Sequence, residues 1–305
     1  MGLLFDLLLA APLLTAAFAA VAASGPFPGV VFFVVYGVFI AIAWLRLDAV
    51  DVALAEAAIG AGLTGVLLLS AVGHLRRAGA TAPPPRPSIP LALACGGIAL
   101  LLAVAFLALP EAPGLQAQVA AALPVSGAEN PVTAVLLNFR AYDTLLESIV
   151  LLAVLVGVWA LADNDAWGGR PGLPQHVRAD GVLANFGRVL PPIGLLVGVY
   201  LVWAGTKQPG GAFQGGTVLA AVWLLAAMAG AATAPRVTSL VLRAALVVGP
   251  LLFLAVGIIG AIGGSFLGLT PDWAAALILI VEVALTVSIA STLALLVLGP
   301  PERRA

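Results

Sequence analysis

The sequence predicts an all-α, polytopic integral membrane protein of about nine spanning helices, with its N-terminus outside and its C-terminus inside. Three observations predict it. Residues of the AVILMFWYC set make up 62% of the chain and charged residues only 9%, against about 25% charged in a soluble domain. Thirteen basic and 14 acidic side chains in 305 residues cannot clothe a water-facing surface of that size. The apolar residues also fall into runs of about 20, the length that crosses a bilayer as a helix. Tilted barrel strands would instead show about ten alternating residues each.

The runs, in order, cover Leu3–Ala23, Val30–Leu47, Val50–Val72, Pro90–Leu109, Tyr142–Ala162, Leu183–Ala204, Thr217–Ala232, Leu240–Gly260 and Trp273–Leu298. The first lacks a basic n-region and continues too far for a cleavable signal, so it is expected to be a spanning helix. Between the runs lie the segments SGPFPG, TAPPPRPSIP, NDAWGGRPGLPQ and AGTKQPGGAFQGG, rich in turn residues. Pro12, Pro191 and Pro192 fall inside runs, where each removes a backbone donor and permits a kink.

The third observation is the placement of basic residues. With the N-terminus outside, the inner side receives Arg76, Arg77, Arg86, Arg170, Arg178, Arg236, Arg303 and Arg304, with Arg188 and Arg243 near it. The outer side keeps Arg46, Arg140 and Lys207. That asymmetry follows the positive-inside rule and supports an odd number of spans.

Several function classes are disfavoured. The formal net charge of -1 offers no basic field for nucleic acid. Cys95 is a lone cysteine, and His74 and His176 fall in separate loops, so neither a disulfide nor a metal centre is expected. No cofactor is expected either. The glycine-rich AGTKQPGGAFQGG lacks the GxxxxGK[ST] pattern of a phosphate loop. It reads as a tight loop or short re-entrant segment, with Lys207 its one basic residue.

The informative residues are charges that lipid should not tolerate. An ionisable group at the bilayer centre costs at least about 2.5–3.5 kcal/mol on insertion scales. In DAVDVALAEAAIGAGLTG, Asp51 lies near a helix end and Glu56 about a turn and a half deeper. Five residues turn a helix by about 140°, so the two do not share a face. The small residues after Glu56 would admit a neighbouring helix, placing Glu56 at a seam as a structural carboxylate or a proton relay. In NFRAYDTLLESIVLL, Arg140, Asp143 and Glu147 line one face, with Arg140 able to pair with Asp143 and Glu147 one turn deeper. Glu282 is a lone charge in the last run, followed by Thr286, Ser288, Ser291 and Thr292. It is either a path residue or a neutral acid bonded to a neighbour's backbone.

Three stretches resemble known modules. DAVDVALAEAAIGAGLTGVLLL is similar to the PDVALTEAxxGAGL signature of MbhD, the small membrane domain of membrane-bound hydrogenases that also forms the C-terminal part of the large MrpA-type antiporter polypeptide. NPVTAVLLNFRAYDTLLESIVLLAVLVGVWAL resembles the MbhE domain of the same hydrogenases, whose signature reads NVILVDFRGFDTLGE. KQPGGAFQGGTVLAAVWLL resembles the NAPGGGFIGGL motif of MnhB, a component of Mrp-type antiporters. The resemblance implies an MbhD-like domain at 1–85 with three helices, an MbhE-like domain at 86–168 with two, and an MnhB-like domain at 169–305 with four. Val50 stands where the first signature has proline, and Asn138 where the second often has an acid.

What this implies is an accessory, non-catalytic membrane component of an Mrp-type cation/proton antiporter complex in the bacterial or archaeal cytoplasmic membrane. Its partners would be other subunits, including large antiporter-like ones, together with Na⁺, H⁺ and lipid. By motif match, Asp51, Glu56, Arg140, Asp143, Glu147 and Glu282 would line the ion or proton path. Gly210, Gly211, Gly215 and Gly216 would form the structural loop with Lys207. Two alternatives stay open: the membrane arm of a redox-driven complex, and a purely structural assembly role.

Overall fold

The computed structural model describes residues 2–79, 88–110, 114–172 and 181–302. His176, Arg86, Arg178, Arg303, Arg304 and most of the TAPPPRPSIP connection lie outside the described residues. Among the described residues the chain is helical almost throughout. Eight helices among the described residues are long and apolar enough to cross a membrane. Helix α1 spans Gly2–Ala22 and α2 Pro26–Arg46. The third span, Val50–Arg77, is composite: α3 (Val50–Ala55), a π-helical segment (Glu56–Leu63) and α4 (Thr64–Arg77). Helix α5 is Ile89–Ala108, followed by the short α6 (Gln116–Ala122) and α7 (Pro131–Ala134). A second π segment, Val135–Phe139, leads to α8 (Ala141–Ala160). Helices α9 (Val182–Ala204), α10 (Ala212–Met228), α11 (Leu240–Ile262) and α12 (Pro271–Leu298) complete the bundle.

The seventh expected span, Thr217–Ala232, corresponds to α10, which has 17 residues. At about 1.5 Å per residue it is shorter than the hydrocarbon core of about 30 Å. It starts earlier than the sequence suggested, at Ala212 rather than Thr217. Gly215 and Gly216 are therefore helical, which corrects their assignment to the loop. They serve packing instead. A Cβ on Gly216 would lie 2.8 Å from Cγ2 of Ile289, and one on Gly215 2.9 Å from the carbonyl oxygen of Gly198. Their bare faces let α10 press onto α12 and α9.

Helix starts follow local chemistry. Proline occupies the first turn of α2, α5, α7 and α12, where its missing N–H removes nothing. Ser88, Asn130 and Ser239 cap α5, α7 and α11 by accepting from the Leu91, Val132 and Leu242 amides.

Helix α12 is the axis of the C-terminal half. It buries Ile278, Val281, Leu285, Ile289, Leu293 and Leu295 against α8, α10 and α11. Its polar residues Thr286, Ser288, Ser291 and Thr292 are all buried too. Ser288 Oγ accepts from the Gly249 amide and donates to the Ala245 carbonyl, both at 2.8 Å. Those two groups are the pair that a regular i→i−4 turn would join. They precede Pro250 inside α11, so a hydroxyl from α12 serves the helix where the proline disturbs it.

In the N-terminal half, α2 packs on α1 and on the composite third span. A Cβ on Gly37 would sit 3.0 Å from that of Ala61, and one on Gly65 2.6 Å from Cγ2 of Val34. The small residues of the third span thus admit a neighbouring helix closely, as their composition suggested. Helix α5 buries none of its residues within the chain. At the other end of α10, Arg170–Pro171 (β1) pairs antiparallel with Pro301–Glu302 (β2). Arg170 also donates to Thr233 Oγ1 and the Ala234 carbonyl there.

Candidate functional site: a buried carboxylate junction

The segment between α9 and α10 turns back on itself. The Gly211 amide donates to the Leu201 carbonyl at 2.9 Å, returning the chain onto the last turns of α9. Gly210 has φ +157° and Gly211 φ +115° with ψ −170°, the latter in a region essentially confined to glycine. A Cβ on Gly210 would lie 2.5 Å from the Leu201 carbonyl oxygen. Two glycines are needed because the backbone is both inverted and crowded.

This turn receives Asp51. The aspartate is 8% exposed and lies in the first turn of α3, where a carboxylate also suits the helix dipole. Its Oδ1 accepts from the Gly210 amide at 2.9 Å and its Oδ2 from Asn130 Nδ2 at 3.2 Å. Its carbonyl accepts from Gln214 Nε2 at 3.3 Å. Asn130 also donates to the Gln208 carbonyl at 3.1 Å while its Oδ1 caps α7. Thr133 Oγ1 donates to the Gly205 carbonyl at 2.6 Å, and the Glu129 and Asn130 amides both donate to the Thr206 carbonyl. Apart from the local cap, each of these bonds joins segments far apart in the sequence.

Glu282 completes the junction from α12. It is 2% exposed, and its Oε1 lies 3.1 Å from where a Cβ of Gly205 would stand and 3.0 Å from that of Gly211. A Cβ at either position would crowd the carboxyl group. Its Oε2 has no hydrogen-bond partner among the described residues. Asp51 and Glu282 thus flank Gly210 and Gly211 from two different helices. The amide and amide-side-chain donors go to Asp51; none reaches Oε2 of Glu282.

The remaining candidates lie apart from this junction. Glu56 is half-buried, with its carboxyl group folded over Gly60 inside the π segment. Arg140 and Asp143 form an exposed ion pair. Glu147 is exposed on α8. Lys207 stands 3.7 Å from Glu129, again at the surface. The structure therefore brings Asp51, Gly210, Gly211 and Glu282 together and leaves the Arg140–Asp143–Glu147 row on a separate face.

Sequence reasoning missed Asn130, Thr133, Gln208 and Gln214. Asn130 carried a signal: asparagine before proline is a helix start, with the cap and the first helical residue in order. The others are ordinary polar residues whose role exists only through tertiary contact.

Three family models match successive stretches of the chain. Residues 11–77 match the family model MbhD and residues 86–164 the model MbhE, two components of the membrane complex MBH. Residues 182–299 match the domain related to the MnhB subunit of Na⁺/H⁺ antiporter. An uncharacterized protein of Methanocaldococcus jannaschii is 28% identical over 124 residues, covering 35% of this chain and 46% of its own length. The fold is similar to a chain in the Mrp complex of Dietzia sp. DQ12-45-1b, with a TM-score of 0.74, 24% identity, and coverage of 97% of this chain and 35% of that one. It is also similar to a chain of the archaeal membrane-bound sulfane sulfur reductase, with a TM-score of 0.54 and 23% identity. That match covers 68% of this chain and 94% of the other. The chain thus spans less than half the length of the Methanocaldococcus and Dietzia chains it matches. It is a multi-pass membrane protein that joins MbhD, MbhE and MnhB-related domains, in that order, in one polypeptide.

Proposed function

We propose that this chain is an accessory membrane component of an Mrp-type cation/proton antiporter complex, helping to form the Na⁺/H⁺ path and to hold the complex together. It would lie in the bacterial or archaeal cytoplasmic membrane with its N-terminus outside and C-terminus inside. The observation that carries the reading is Glu282, a buried carboxyl group with an unpartnered oxygen beside Asp51 where the three domains meet. A group like that is costly unless it is neutral or matched by a cation. A site that must exchange a cation for a proton needs this kind of acid. The order of the family matches supports the assignment.

In this reading Glu56, Glu147 and Glu282 carry exchangeable protons. Asp51 is held in place by Gly210 and Asn130 and sets the field at Glu282. Arg140 pairs with Asp143 at the rim. The glycine turn shapes the junction, and Lys207 belongs to its surface. The chain supplies no reaction chemistry of its own.

The test is Na⁺/H⁺ antiport in everted vesicles from cells lacking other such antiporters, with the whole complex expressed. Glu282→Gln keeps the shape of the side chain but cannot release a proton. Transport should fall at least tenfold while the complex still assembles. Unchanged transport would leave only the scaffold role. A second reading, the membrane arm of a redox-driven complex, is favoured by the fold similarity to the sulfane sulfur reductase. Iron–sulfur proteins co-purifying with the chain would select it.

A further inference from the structure

Helix α8 has an inner and an outer face. Thr144, Leu145, Ser148 and Leu155 are buried against the bundle, while Leu146, Val150 and Val154 are exposed. Glu147 belongs to the outer face. It lies six residues beyond the start of the helix at Ala141, about 9 Å along its axis, and after the buried Ser148 the sequence is apolar to the end of the helix. Among the described residues it makes no hydrogen bond and no ion pair. The one cation on this row, Arg140, is already engaged by Asp143.

A membrane helix that turned this face to lipid would hold a carboxyl group in hydrocarbon with no donor, an arrangement that intramembrane acids avoid. The face is therefore covered, and the covering surface must supply a donor at the depth of Glu147 while matching its apolar flanks. Lysine suits this better than arginine. An ammonium can give its proton to the carboxylate and leave two neutral groups in an apolar seam, whereas a guanidinium stays charged there.

We propose that the outer face of α8 docks a transmembrane helix of a partner protein whose lysine pairs with Glu147. This rests on the reading of the chain as one part of a larger membrane complex. It adds the face, the depth and the chemistry of the contact.

A hydrophobic carbodiimide tests it on the intact purified complex. The reagent activates membrane-embedded carboxyl groups and lets an adjacent amine displace it, leaving an amide. The expected product is a cross-linked peptide joining Glu147 to a lysine of another polypeptide, absent in Glu147→Gln. In parallel, Glu147→Leu should leave the chain inserted in the membrane yet lower partner recovery at least fivefold, with Asp272→Asn, at an exposed acid in the first turn of α12, as a control that leaves recovery near wild type. A carbodiimide adduct on Glu147 without a cross-link, or full partner recovery with Glu147→Leu, overturns the proposal. If the wild-type chain recovers no partner at all, the reading as part of a complex fails instead.

Discussion

Asp51 and Gly210 stand 159 residues apart and share a 2.9 Å hydrogen bond, the glycine amide donating to Oδ1 of the aspartate. One bond thus ties the MbhD domain to the MnhB-related domain, and Asn130 adds the MbhE domain through the other carboxylate oxygen.

Asp51→Ala should be more damaging than Asp51→Asn. Alanine leaves the Gly210 amide and Asn130 Nδ2 buried without this acceptor. Hydrogen bonds to charged groups contribute about 1.5–3 kcal/mol each, so the loss should be on the order of 3 kcal/mol or more. Asparagine keeps an oxygen for Gly210 and should lose roughly half of that. Survival of the detergent-solubilised protein after graded heating, read by size-exclusion chromatography, ranks the two. Equal survival would mean that the junction contributes little to holding the domains together.

Gly211→Ala should destabilise the α9–α10 turn by about 1–3 kcal/mol, since its backbone lies where non-glycine residues are strained. Gly216→Ala should also destabilise, but through the contact with Ile289. Shortening Ile289 to alanine should therefore relieve Gly216→Ala in part and leave Gly211→Ala unrelieved. Double-mutant cycles on thermal stability separate the cases.

Ser288→Ala should cost about 1–3 kcal/mol, because it leaves the Gly249 amide and the Ala245 carbonyl without the bridging hydroxyl beside Pro250. Combining it with Pro250→Ala should recover part of the loss. A strictly additive double mutant would show that the serine does not compensate the proline.

Arg140→Ala should barely change stability. The Arg140–Asp143 pair is exposed on both sides, and such pairs contribute about 0–1 kcal/mol. A large loss in the isolated chain would mean that the arginine holds the start of α8 by another route.

The fold was legible where composition alone decides it. Apolar runs of spanning length became helices because lipid leaves a single chain few other ways to satisfy its backbone. The runs did not disclose the two π segments at Glu56–Leu63 and Val135–Phe139, since one extra residue per turn leaves no compositional trace. The start of α10 was misplaced because GGAFQGG reads as loop-forming. In the structure only Gly210 and Gly211 make the turn, and the second pair of glycines is bare helix surface. Glu282 stood out as a lone charge in an apolar helix. That Asp51 lies beside it could not be inferred, because nothing local links residues on α3 and α12.

The junction also sets a clock on synthesis. Asp51 emerges from the ribosome 159 residues before Gly210, an interval on the order of ten to thirty seconds at roughly 5–20 residues per second. Through that interval its carboxylate lacks the amide that will later hold it. Its place in the first turn of its helix, at Val50–Ala55, keeps it at the end of the Val50–Arg77 span and away from the centre, where a charge costs most. Had the same acid been coded two turns deeper, the newborn helix would have had to enter the bilayer carrying an unanswered charge.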